Sequence, residues 1–247
     1  MALARVLLSP TSVSQPQQIR EINNMNKIKY IAAVLIALVG LGLQQAKADT
    51  FISSLNQGNS AISSFAPPYG TVTITLVNST TATVTFTSNT VAGNTYLFGD
   101  GGSVALNVNA TTFSVSGISG SNSGTGFTPG PFSQSAAGNE DGFGSFNLRI
   151  SSFDGFTHSS DTITFTLTNT SGTWASAADV ITNNANGFDA AAHIFVTTSP
   201  ANASNSALAT GFAGEGGGVV VPDGGTTVML LGVALGALGM ARRFLMS

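Results

Sequence analysis

The chain has no cysteine, which excludes disulfides, thiolate nucleophiles and cysteine-ligated metals together. It has two histidines, His158 and His193, a single tryptophan, Trp174, and only 8% charged residues. Basic charge is nearly confined to the ends. From Asp49 to Gly225 one arginine, Arg149, stands against ten acids, a net charge of −9. Phosphate neutralisation needs clustered Lys and Arg, so nucleic acid is excluded as a partner. Without disulfides the fold must rest on a packed core, and this stretch of roughly 170 residues is long enough to supply one.

Two apolar runs stand near the ends. Lys27 and Lys29 precede Ile31–Leu43, a run of about 13 residues, and Ala46-Lys47-Ala48 follows the small-x-small rule of a signal-peptidase site. The pattern predicts a signal peptide over 25–48, with a signal helix, cut between Ala48 and Asp49. The run falls short of the about 20 residues that a spanning helix needs. Residues 1–24 fit no part of a signal peptide and break at Pro10 and Pro16, so they read as a gene-start artefact ahead of Met25. At the other end, Thr226–Met240 is free of charge. As a helix it reaches roughly 23 Å against a bilayer core of about 30 Å, a marginal transmembrane helix. Arg242 and Arg243 then halt it, on the cytoplasmic side by the positive-inside rule, with the acidic body outside.

The tail reads Val221-Pro222-Asp223-Gly224-Gly225, then a glycine-bearing apolar run, then Arg242-Arg243. This order resembles the PEP-CTERM sorting signal in its VPDSG-CTERM variant. Asp223 stands where the commoner form has Glu, and Gly224 replaces the Ser of the variant. The resemblance implies recognition of residues 222–247 by an exosortase of a Gram-negative bacterium, removal of the helix, and delivery to the cell surface or exopolysaccharide matrix. Residues 142–196 also resemble a segment recurrent among proteins with such tails. The match lies in Phe146-Asn147, Phe153-Asp154-Gly155-Phe156, the run Thr166–Trp174 and Ala191-Ala192-His193-Ile194-Phe195. It implies no activity.

Between the ends, strand signals dominate. In "GTVTITLVN", "TATVTFTSN" and "DTITFTLTN" apolar residues alternate with threonine: Val72, Ile74 and Leu76; Val84 and Phe86; Ile163, Phe165 and Leu167. Period two puts one row inward and the other toward water, and threonine is itself a good strand former. Weaker candidates are "TYLFG", "SVALNVN", "TTFSVSG", "GSFNLRIS" and "HIFVTT". Many short strands with one wet face predict a mainly β fold, an antiparallel β-sandwich of jelly-roll type, over residues 49–198. Ser171 or Thr173 is expected to cap one short helix through Val180. Gly117–Asn139 reads as a loop, and the small residues of 199–221 read as a linker.

Chemistry is sparse in the pattern. No G-x-S-x-G elbow is present. His158 lies near Asp154 and Asp161, a Ser-His-Asp arrangement on paper, but a turn histidine is the plainer reading. His193 reads as a hydrogen-bonded histidine of the core or a strand edge. Two separated histidines do not make a zinc site. Asn139, Glu140 and Asp141 form the densest oxygen cluster, either a calcium loop or a solvated acidic turn. Trp174, Tyr69 and Tyr96 are candidate stacking platforms for carbohydrate, or core residues. No catalytic, cofactor or metal residue is assigned. The sequence thus predicts a non-enzymatic exported surface or matrix protein that meets exopolysaccharide. An extracellular carbohydrate-binding module is the alternative, and a secreted hydrolase the weakest reading.

Overall fold

The computed structural model describes residues 49–221. The leader, the signal peptide with Ala46 and Ala48, and the tail from Pro222 through Arg242 and Arg243 lie outside the described residues. The strands in chain order are β1 (Asp49–Gly58), β2 (Gly70–Asn78), β3 (Thr81–Ser88), β4 (Thr90–Val91), β5 (Asn94–Phe98), β6 (Val104–Leu106) and β7 (Phe113–Ser121). Then follow β8 (Ser133–Ser135), β9 (Gly138–Glu140), β10 (Gly144–Phe146), β11 (Leu148–Ser151), β12 (Thr162–Asn169), β13 (Ala190–Thr198) and β14 (Ala209–Val221).

Twelve strands share one antiparallel sheet, in the order β7-β12-β3-β2-β1-β14-β13-β6-β11-β8, with β5 beside β13 and β4 beside β5. Only β9 and β10 pair separately. The mainly β, antiparallel expectation holds, but strands that the sequence reading divided between two sheets are joined in one. That sheet nearly closes. The end of β5 meets the segment entering β12, where Phe98 and Ser160 exchange backbone bonds of 2.8 and 2.7 Å and the Ser88 N–H donates to the Asp161 carbonyl at 2.7 Å. Closure of this kind hides strand edges that would otherwise invite pairing with other chains.

The threonine alternation places the rows as expected. Val72, Ile74, Val84, Phe86, Ile163, Phe165 and Leu167 are buried in the main core. The threonines stand in register across the outer face: Thr73 opposite Thr85, Thr85 opposite Thr164, and Thr164 opposite Ser119. The Thr85 and Thr164 hydroxyls bond each other at 3.1 Å. Thr164→Val should therefore shift stability by less than about 1 kcal/mol, since the hydroxyl left behind can reach water. Phe165→Ala should cost about 3–5 kcal/mol, because it opens a cavity beside Phe86. Denaturant titration of the two variants checks this, and equal losses would contradict the alternation.

Three expectations are corrected. The stretch 199–221 is a linker for only part of its length. Ala209–Val221 is a strand between β1 and β13, so the folded body runs to Val221. Glycine is depleted in strands, and for that reason the segment does not read as one. Here glycine is required: a Cβ on Gly214 would strike the ring of Phe143, which lies against the strand. The short helix is a 3₁₀ turn, Ala177–Val180, with Ser176 at its N-cap position and no side-chain cap bond from that residue. The Asp49 carboxylate instead accepts from the Ala177 N–H at 2.6 Å, across 128 residues of sequence. The expected loop 117–139 contains the end of β7, all of β8 and the start of β9. Among the described residues, no helix is long and apolar enough to cross a membrane.

Candidate functional site

The ends of the body meet. Antiparallel pairing of β1 with β14 sets Thr50 opposite Val221 and Phe51 opposite Val220. Asp49, the residue expected to become N-terminal after signal cleavage, therefore lies at the same end of the sheet as the first residue of the sorting motif. Of the sequence-predicted site residues, the structure brings together Asp49 and Val221. Pro222, Asp223, Gly224 and Gly225 follow directly on the last ladder pair and lie outside the described residues.

Within the body, the candidate chemistry disperses. His158 Nδ1 lies 2.7 Å from the Gly130 carbonyl and 2.9 Å from that of Thr128, so this nitrogen carries the proton and donates to backbone. Asp161 is engaged elsewhere, accepting from the Ser123 N–H at 2.6 Å and the Ser123 hydroxyl at 2.7 Å. The Ser-His-Asp arrangement is therefore not assembled here. His193 stacks on Phe212 at 4.5 Å between ring centres, and its Nε2 meets the Thr210 hydroxyl at 2.8 Å. Burial lowers its pKa; Asp100 and the Gly99 carbonyl oppose that, and Arg149 adds to it.

The oxygen cluster at 139–141 also separates. Glu140 is fully buried and takes the Arg149 Nε–H at 2.6 Å, while the Asp141 carboxylate accepts from the Asn59 amide at 3.0 Å. Among the described residues, no group of three or more His, Asp or Glu side chains is arranged to hold a metal ion. The three aromatic candidates are not platforms. Tyr69, Tyr96 and Trp174 are buried, and each satisfies its polar atom on a backbone carbonyl: those of Ile62 and Phe65, of Ala66, and of Asn109.

The sequence reading passed over the Arg149–Glu140 pair. The signal was there in principle, because the single base of an acidic body needs an acid partner if it is to leave water. The reading also missed Asp189 and Glu215, which meet where β13 begins beside β14. Burial, then the neighbouring Glu215 carboxylate, pushes Asp189 up to about 8. Burial pushes Glu140 up to about 7 against the pull of Arg149.

Both acids hold their protons more tightly folded than unfolded, where carboxyls titrate near about 4. Folding takes up protons between those values, so the stabilisation is complete on the acid side and is lost as pH rises through about 7 and about 8. Below about pH 6.5 the lowered pKa of buried His193 works in the opposite direction, so the melting temperature should fall between about pH 6.5 and pH 9, and Asp189→Asn should flatten the upper part of that fall. A midpoint that holds or rises over the range would contradict the assignment.

The whole chain matches no curated protein and no solved structure. Residues 220–244, from the last two residues of β14 onward, match the family model described as the VPDSG-CTERM motif. The chain thus carries a C-terminal exosortase-type sorting signal, which implies processing by an exosortase-type enzyme, export and surface localisation.

Proposed function

We propose that the chain is a non-enzymatic surface or extracellular-matrix protein. Its body is threaded out by the N-terminal signal peptide, held briefly at the inner membrane by the C-terminal apolar run, and freed when an exosortase acts at the motif. The observation that carries this reading is the match over 220–244 at the point where the sheet ends. The basic residues on the far side of the apolar run and the acidic body on the near side support the same orientation. Outside the cell, a body of net −8 (Asp49–Val221) with hydroxyl-covered strands stays hydrated and meets matrix polysaccharide without adhering to anionic surfaces.

The test is intact-mass analysis of the protein released from the surface of its host. The expected product begins at Asp49 and lacks Met246. A surface form that retains Met246 replaces the sorting reading with a permanent C-terminal anchor.

A further inference from the structure

Where the sheet nearly closes, the ends of β3 and β12, the β4–β5 hairpin, the turn at 122–124 and the segment 199–201 enclose a groove of about 340 Å³. Thr87, Thr90, Thr95, Thr162 and Ser199 line it, with the Thr90 and Thr95 hydroxyls bonded to each other at 3.1 Å, and Asp161 is the one acidic residue of the lining among the described residues. Pro200 and Ala201 form an apolar wall. The size lies at the lower end of small-ligand sites, roughly 300–1,000 Å³.

The composition selects a ligand class. Among the described residues no base lines the groove, the body carries −8, and Asp161 is fixed by Ser121 and Ser123, so phosphate, sulfate and uronate groups are repelled. The Asp161 Oδ1 has only a long 3.3 Å bond from Ser121 and keeps capacity to accept from a ligand hydroxyl. Hydroxyls both donate and accept, and the apolar wall suits the C–H face of a sugar ring.

A second observation points the same way. Thr87 and Thr162 are register partners, and Thr87 also pairs with Thr71, so the groove opens at the end of one threonine rank of the sheet. Further ranks run parallel to it, Thr73-Thr85-Thr164 and Thr75-Thr83-Thr166, with no charged residue among them. They repeat about every 4.8 Å across strands and about every 6.8 Å along them. Each position offers a methyl and a hydroxyl, the pairing that the surface of a polyol presents in return.

We propose that this groove, with the threonine ranks leading from it, binds a neutral polysaccharide: one sugar unit seated against Asp161 and Pro200, the chain continuing over the hydroxyl face. The assignment rests on the matrix reading above and names its ligand.

The full chain, purified in mild detergent, is applied to an array of neutral glycans and titrated with gluco- and mannohexaose, with an oligogalacturonate of equal length as the charged counterpart. Neutral glycans should bind and the uronate should not. Thr87→Lys and, from a different segment, Ser199→Lys should each weaken binding by about tenfold or more, the scale of one or two lost hydrogen bonds. Ser145→Lys, which adds the same charge on an exposed position outside the groove, should leave binding unchanged. Failure of every neutral glycan to bind, binding of the uronate alone, or binding indifferent to both groove substitutions overturns the site. Surface delivery of the Thr87→Lys chain in the host is scored in parallel. Normal delivery without glycan binding by the wild-type chain sinks this inference alone, whereas failed delivery of the wild type sinks the sorting reading.

Discussion

Stopping the chain after Thr198, where the small-residue stretch begins, is expected to abolish cooperative folding, while stopping it after Val221 should leave the body intact. The difference is β14. It is paired with β1 along one side and with β13 along the other, so its removal splits the sheet near the middle. The backbone groups of β1 and β13 that faced it lose their partners, at about 1–3 kcal/mol for each group left buried and unpaired. Several such losses exceed the 5–15 kcal/mol that typically separates folded from unfolded domains. Two bare strand edges would also be exposed to other chains, so the shorter chain should aggregate. Far-ultraviolet spectra and thermal melts of the two truncations decide the matter. A chain ending at Thr198 that melts like the longer one would show that β14 is dispensable.

Asp223→Ala should have the opposite character, with a large effect on sorting and none on folding. The substitution lies beyond the last ladder pair, Thr50 with Val221, so the melting temperature of the body should not move. Pro222 and the Gly224-Gly225 pair disfavour helix, which lets an enzyme take the backbone at the motif in an extended form. With the acid gone, recognition should fail. The native host should then accumulate a longer, membrane-held chain that still begins at Asp49, and the mature surface form should be largely lost. Membrane fractionation with intact-mass analysis reads both ends at once. Processing of Asp223→Ala at the wild-type level would show that the carboxylate is not what the enzyme reads.

These two experiments bear on one arrangement. The match to the sorting motif begins inside β14, so the segment to be processed is the continuation of a central strand. Cleavage beyond Val221 would leave that strand in place, and the mature C-terminus would stay tied beside Asp49 at one end of the sheet. The Asp49 carboxylate caps Ala177 there, which binds the start of the body to the turn before β13.

The sequence by itself determined the sorting address at its C-terminal end and the strands in which threonine alternates with apolar residues. "GTVTITLVN" is β2 residue for residue, and β3 and β12 fall within a residue of their expected limits. Period-two alternation is carried by each strand alone, because a side chain's face follows from the backbone of its own segment. The sorting tail was legible for a similar reason: its signal is a linear order of motif, apolar run and arginines, read without a fold. Only the tertiary structure decided that Ala209–Val221 is a central strand, since a glycine-rich segment becomes one when neighbours such as Phe143 need the space its side chains leave empty. Only tertiary packing buried Trp174, Tyr69 and Tyr96, set Glu140 against Arg149, and turned Asp161 from His158 to Ser123. Those outcomes depend on which strands lie side by side, and strand order is fixed by contacts between segments far apart in the chain, which no local pattern encodes.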